Sequence, residues 1–231
     1  MSKTKNFRQR LASNSSGLAL IEFAYALPLL VGLVGFGLEM TNLATTSTQI
    51  SQAAMALSDN MSRVGLESAL SRVQLRESDI NDGFIGIQRE TPGLDLTSGG
   101  RVILSSLERN AEGGQWIHWQ RCIGTKLVTS KYGTQGTGAT GTSFLGMGPA
   151  SARVTAPAAQ AVMFVEIEYD YKPLFTTLFI PARTIRFEQS FIVRDERDLV
   201  GPTDAAHPEG YGVFNPAPAA PVHNCTSYTA T

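Results

Sequence analysis

Glu22 is an acid set inside an apolar stretch, "SSGLALIEFAYALPLL" at residues 15–30. A carboxylate in a membrane is costly unless it finds a partner or reaches the interface. Its available chemistry is therefore charge pairing, or solvation at one end of a spanning helix. Other reactive side chains stand at less suggestive spacings. "GTGATG" at 136–141 matches G-x-G-x-x-G. A phosphate-binding turn needs a buried strand before it and a helix after it. "TSKY" and "TSFLGMGP" offer neither, so a surface loop is expected. His118, His207 and His223 have no partner at metal-ligand spacing, and His118 reads as a strand residue within "WIHWQ". Glu166, Glu168 and Asp170 could hold a cation, but strand alternation alone accounts for them. "RDERD" at 194–198 reads as a solvated strand end. No G-x-S-x-G or H-E-x-x-H motif occurs. The expectation is a protein without catalysis, cofactor or metal.

The elements that must position Glu22 follow from hydropathy and charge. Residues 18–38 carry one charge in 21 positions. As a helix they would cross the roughly 30 Å hydrocarbon core of a bilayer. Before them, residues 1–17 hold Lys3, Lys5, Arg8 and Arg10 and no acid, while the rest of the chain has 15 basic against 20 acidic residues. A basic block abutting an apolar run holds the N-terminus in the cytoplasm. A nucleic-acid binder would instead need a basic face on its folded domain, so nucleic acid is not an expected partner. The run is too long for an ordinary cleavable signal, and no A-x-A site follows it.

Beyond the span, Ile50, Ala54, Leu57, Met61 and Val64 recur at spacings of four and three. Gln49, Ser51, Gln52, Ser58, Asp59 and Ser62 fill the other faces of this amphipathic helix. Gly65 is a candidate break, "LESALSRVQL" a second helical stretch to about Leu75, and "NDG" at 81–83 a turn. The period then becomes two. "VMFVEIEYDY" alternates Met163, Val165, Ile167, Tyr169 and Tyr171 with an acidic outer face. "RTIRFEQSFIV" is similar, with a turn near Pro181 between the two, and "RVILSSLE" and "QWIHWQRCIG" are shorter strands. "KYGTQGTGATGTSFLGMGPA" reads as a long flexible loop, and the Pro/Ala/Gly-rich residues 199–231 as an extended tail. Cys122 and Cys225 can form a disulfide if this part lies outside the cytoplasm, or stand as two unrelated thiols.

The fold class expected is α+β: a long N-terminal helix, transmembrane then amphipathic, packed on an antiparallel sheet domain. Its parts are a basic leader (1–17), a transmembrane helix (18–40), an amphipathic helical region (41–80), a sheet domain (81–198) and a tail (199–231).

Gly17, the apolar residues Leu18 to Ile21, then Glu22 and Phe23 resemble a type IV prepilin processing site. Together with Pro28 and Glu39, and with "VEIEYDYKPLF" at 165–175, the stretch is similar to the TadE-like family of the tight-adherence (Tad, Flp-type) pilus machinery. The resemblance covers about 45 residues in two separated places. It implies a pilin-like fold and a minor pilin or pseudopilin in the bacterial inner membrane, single-pass, with the N-terminus cytoplasmic and the C-terminal domain periplasmic. It implies cleavage between Gly17 and Leu18 by a prepilin peptidase. The new Leu18 amine would then pair with Glu22 of a neighbouring subunit, so that each buried charge has a partner. The implied partners are that peptidase, other pseudopilins, the major Flp-type pilin, inner-membrane platform proteins and membrane lipid; cell adhesion would follow. The rival reading is an unprocessed, membrane-anchored envelope protein with a periplasmic binding domain.

Overall fold

The computed structural model describes residues 16–65, 72–175 and 179–230. The basic residues of the leader, and Leu66 to Ser71 of the expected second helical stretch, lie outside them. Helix α1 spans Ser16–Arg63, α2 Glu77–Glu90 and the short α3 Leu96–Gly99. Four strands follow: β1 Gly100–Arg109, β2 Gln115–Ile123, β3 Val162–Tyr171 and β4 Arg183–Ile192. They form one antiparallel sheet in the order β2-β1-β3-β4. The chain divides into two units, Met1–Ala44 with Pro173–Ala182, and Thr45–Lys172 with Arg183–Thr231. The architecture is α+β, as the change of period from helix to strand implies.

In the second unit, the periodic stripe of α1 is the buried one: Ile50, Ala54, Leu57 and Met61 are at most 2 % exposed, while Val64 is half-buried. Ser58 and Ser62, expected on the polar faces, are buried as well. Their hydroxyls donate back to the carbonyls of Ala54 and Asp59 at 2.8 and 2.7 Å, which satisfies them inside the helix. The helix ends at Arg63. A Cβ on Gly65 would fall 2.2 Å from Val73 Cγ1, so the break there is also a close approach.

Two readings of the next segment need correction. Arg72–Arg76 is not helical but extended, bridging Arg197 at Val73 and Phe214 at Arg76. "NDG" is not a turn; it lies inside α2, and the expected domain boundary at 80/81 cuts that helix. The reason is capping and packing. Asp79 Oδ2 accepts from the Arg76 backbone N–H at 2.9 Å, which fixes the helix start ahead of the turn-prone residues. Ile80, Phe84 and Ile87 then form a buried stripe, and bare Gly83 lets Met61 of α1 approach, its Cε lying 2.6 Å from where a Cβ would be.

One face of the sheet carries Val102, Leu104, Trp119, Arg121, Met163, Val165 and Ile167, in the order set by the strand register. The α2 helix meets it through a buried ion pair, in which Arg121 Nε donates to both Glu77 carboxylate oxygens at 3.0 Å. The other face was expected to be acidic and solvated. Among the β3 acids only Glu166 is covered; Glu168 is half-buried and Asp170 exposed, as an outer face implies. The Gly/Thr-rich segment has no helix or strand, yet its Met147 joins Leu107, Ile117, Val162 and Phe164 in a closed apolar cluster flanked by Tyr132 and Phe144. Glu166 is 6 % exposed, accepting from the Ser130 hydroxyl and, at 3.0 Å, the Lys131 N–H. Burial pushes its carboxyl up, against those two bonds. The "GTGATG" turns are held by Asn110, whose Nδ2 donates to the Gly138 and Gly141 carbonyls at 2.8 and 2.7 Å. Gly138 has φ +79°, and a Cβ there would meet the Gln115 carbonyl at 2.3 Å.

The tail folds back onto the same sheet. Cys122 in β2 is joined to Cys225 by a disulfide, with Cα atoms 4.8 Å apart at a sequence separation of 103. Arg101 donates to the Ser227 and Cys225 carbonyls at 2.7 and 2.8 Å, with its guanidinium 4.2 Å from the Tyr228 ring centre. The outer edge of β2 is occupied by these returning segments: Cys122 N–H donates to the His223 carbonyl at 2.8 Å and Ile117 N–H to the Thr137 carbonyl at 2.9 Å.

His118 fastens the tail from the other side. Its Nδ1 stands 3.0 Å from Glu108 Oε2 and its Nε2 2.9 Å from the Gly210 carbonyl, with the ring stacked on Trp116. Both partners are acceptors, so both ring nitrogens donate only as imidazolium. Burial opposes that charge, but Glu108, the Gly210 carbonyl and Glu209 outweigh it and raise the pKa. Nearby, burial lowers the guanidinium of Arg197 to about 10.

Two stability predictions arise from these attachments. Breaking the Cys122–Cys225 link with Cys225→Ser should lower unfolding stability by about 2–4 kcal/mol, because the denatured chain regains the freedom of a long loop. Denaturant melts would show this, and reductant should remove the difference between the two proteins. A raised His118 pKa means that the stabilisation is fully present below the unfolded histidine pKa of about 6.5 and is lost as pH rises through the higher folded value. The thermal midpoint should therefore fall as pH rises above about 6.5, and His118→Gln should flatten that slope.

Candidate functional site

The residues singled out by sequence stand at the N-terminal end of α1. Gly17, Leu18, Glu22 and Phe23 are all exposed, Leu18 by 60 % and Phe23 by 61 %. Nothing lies within 4 Å of where a Cβ on Gly17 would sit. Gly17 and Leu18 are thus both exposed at the head of the helix among the described residues. Leu18 and Glu22 are four apart in a helix, which places them one turn apart on one face.

The helix that follows is long and apolar enough to cross a membrane, and none of its most apolar window is buried. Leu20, Tyr25, Leu29 and Leu33 are each at least 70 % exposed. Pro28 sits within the helix. A helix that is apolar all round needs an apolar surrounding, whether lipid or other helices. The structure thus leaves Glu22 as it stands in the sequence, an acid on an uncovered apolar rod.

The second acid behaves differently. Glu39 is fully buried. Its carboxylate accepts from the Leu174 N–H, at 3.2 Å to Oε1 and 3.0 Å to Oε2, and from the Phe175 N–H at 3.3 Å to Oε2. One turn earlier, Phe179 lies over Gly35: a Cβ there would meet Phe179 Cζ at 3.0 Å. Phe175 and Phe179 themselves meet edge to face, with ring centres 6.5 Å apart. The segment joining β3 to β4 is thus clasped to the end of the apolar run by one carboxylate and one glycine. Charge-assisted bonds to backbone N–H groups are what offset the burial of that carboxylate.

Two sequence features read separately are here in direct contact. Glu39 closes the apolar run, and Leu174 and Phe175 end the "VEIEYDYKPLF" segment, 135 residues further on. Sequence signalled each of them, but nothing in either stretch names the other as its partner. The remaining pair, Cys122 and Cys225, belongs to the sheet-containing unit. His118, read as a strand residue, does lie in β2, but its pairing with Glu108 had no sequence signal.

Replacing Glu39 with Ala leaves two N–H donors without their acceptor, a loss of about 1–3 kcal/mol locally. Amide hydrogen exchange at Leu174 and Phe175 should accelerate in Glu39→Ala and less so in Glu39→Gln, which keeps one acceptor oxygen. Unchanged exchange in both would show that the carboxylate does not hold the segment. No family model matches this chain, and neither does any curated protein or solved structure at a significant level.

Proposed function

We propose that this chain is a TadE-like minor pilin or pseudopilin that takes part in assembly of a tight-adherence pilus. The observation that carries the reading is the exposed Gly17–Leu18 bond followed one turn later by Glu22 and Phe23, at the head of an uncovered apolar helix. The clasp between Glu39 and the "YKPLF" residues supports it, because it joins the two stretches in which the resemblance lies.

In this reading the chain enters the bacterial inner membrane with its N-terminus cytoplasmic and its sheet-containing part periplasmic. A prepilin peptidase hydrolyses the Gly17–Leu18 bond and releases the basic leader. The Leu18 amine is then a cation at the edge of an apolar layer, one turn from Glu22. Within a bundle of such helices, Glu22 of one subunit meets the amine of the next. A charge pair desolvated by both helices sets their axial register, since a slipped register leaves two unpaired charges. Other pseudopilins, the major Flp-type pilin and the inner-membrane platform are the corresponding partners. A disulfide in the sheet-containing unit accords with an oxidising compartment.

A second reading has its own observation. A cleft of about 610 Å³ beside the disulfide is lined by Gln120, Cys122, Thr129, Gln135 and Tyr228 among others. An unprocessed anchor whose periplasmic part binds a ligand would use such a space.

Intact mass of the protein from its native host separates the two. The pilin reading expects loss of residues 1–17, with or without N-methylation of Leu18. It also expects Gly17→Val to accumulate as the full-length form. A native protein that retains its leader supports the anchored reading and removes the first one.

A further inference from the structure

We infer that the β3–β4 connection is a second membrane-contacting element, seating Leu174, Phe175 and Phe179 at the headgroup–acyl boundary where α1 leaves the bilayer. This rests on the reading of α1 as a membrane span.

Depth is the first argument. The apolar run ends at Leu38, and Glu39 is the next residue. Gly35 precedes Glu39 by about 6 Å along the helix axis. Phe179 packs on Gly35, and Leu174 and Phe175 are bonded to Glu39. A bilayer that covers the apolar run therefore reaches the level of these side chains.

Surface chemistry is the second. Leu174 is 59 % and Phe175 52 % exposed, adjacent in the chain. At the same level of α1, Phe36, Leu38 and Met40 are 45–51 % exposed. Phe and Leu side chains are those that interfacial elements bury at the headgroup–acyl boundary. The acid at this level, which would ordinarily reach for water, is turned inward instead. Non-helical backbone near the hydrocarbon must have its donors satisfied by protein, and Glu39 does that for Leu174 and Phe175.

Charge is the third. Lys172 and Arg183 flank the connection, and no acid occurs from Lys172 to Phe187. Basic residues beside an apolar insertion fit anionic phospholipid headgroups. The occupant inferred is thus lipid rather than a second protein surface.

The test uses the full chain with its disulfide intact, reconstituted in vesicles of phosphatidylethanolamine and phosphatidylglycerol. Single nitroxide labels are placed through Phe175→Cys, Leu174→Cys, Leu29→Cys and Ala205→Cys. Power saturation then compares collision with oxygen, which partitions into lipid, and with a water-soluble nickel chelate. Leu29 in the span and both connection sites should favour oxygen several-fold, and exposed Ala205 should favour nickel. If Leu29 favours oxygen but both connection sites favour nickel, the inference is overturned and the span stands. If the connection sites are shielded from both reagents, a protein covers them and the inference is likewise overturned. If Leu29 itself favours nickel, the membrane reading has failed and takes this inference with it.

Discussion

A backbone amide near an apolar phase must have an acceptor, and an acid at the end of an apolar helix must have a donor. Glu39 answers both demands at once. Its buried carboxylate takes the N–H groups of Leu174 and Phe175, so neither the charge nor the donors are stranded. The side chains of those two residues then have no polar duty and point outward. The placement of the β3–β4 connection, and with it the apolar surface it presents, depends on this one exchange of needs.

The sheet-containing unit meets a different constraint. Four strands with two apolar faces need two covering layers. One is helical: α2 reaches the sheet through Glu77 and Arg121, and Met61 in the buried stripe of α1 packs on α2 at Gly83. The other is built from residues 125–156, with no strand or helix except the single turn Ala150–Ala152. Such a layer cannot satisfy its own backbone by repetition. Beyond isolated backbone bonds it relies on single side chains: Asn110 on two carbonyls, Glu166 on the Lys131 N–H, Gln115 on both the N–H and the carbonyl of Ala156. The tail is tied down in the same manner, by Arg101, by His118 and by one covalent bond.

Glu22 and Glu39 show how far a sequence carries such reasoning. Both are lone acids bordering apolar residues; the sequence marks Glu22 as needing a partner and Glu39 only as part of the resemblance. For Glu39 the partner lies within the chain. Glu22 stands exposed on the helix surface, and its partner in the proposed bundle would come from another subunit. The contrast follows from position: Glu39 is met by a connection that returns to the helix after β3, while the helix around Glu22 is flanked by no described segment.

The alternation of β3 and β4, the four-three spacing of Ile50 to Met61, and the length of the apolar run were all legible in the sequence, because periodicity of side chains is a local property. Cys122 and Cys225 were legible as a possibility only, since two cysteines do not state whether they pair. What tertiary structure decided is everything that depended on a distant partner. "NDG" became helix because Asp79 caps the start and Met61 needs the room at Gly83. Glu166 on the acidic face of β3 became interior because a loop with no period of its own lies over it, while Asp170 stayed exposed. Glu39 became a clasp because a strand connection returns to it. Local sequence fixes which groups need partners; only the folded chain brings the partners within hydrogen-bonding reach.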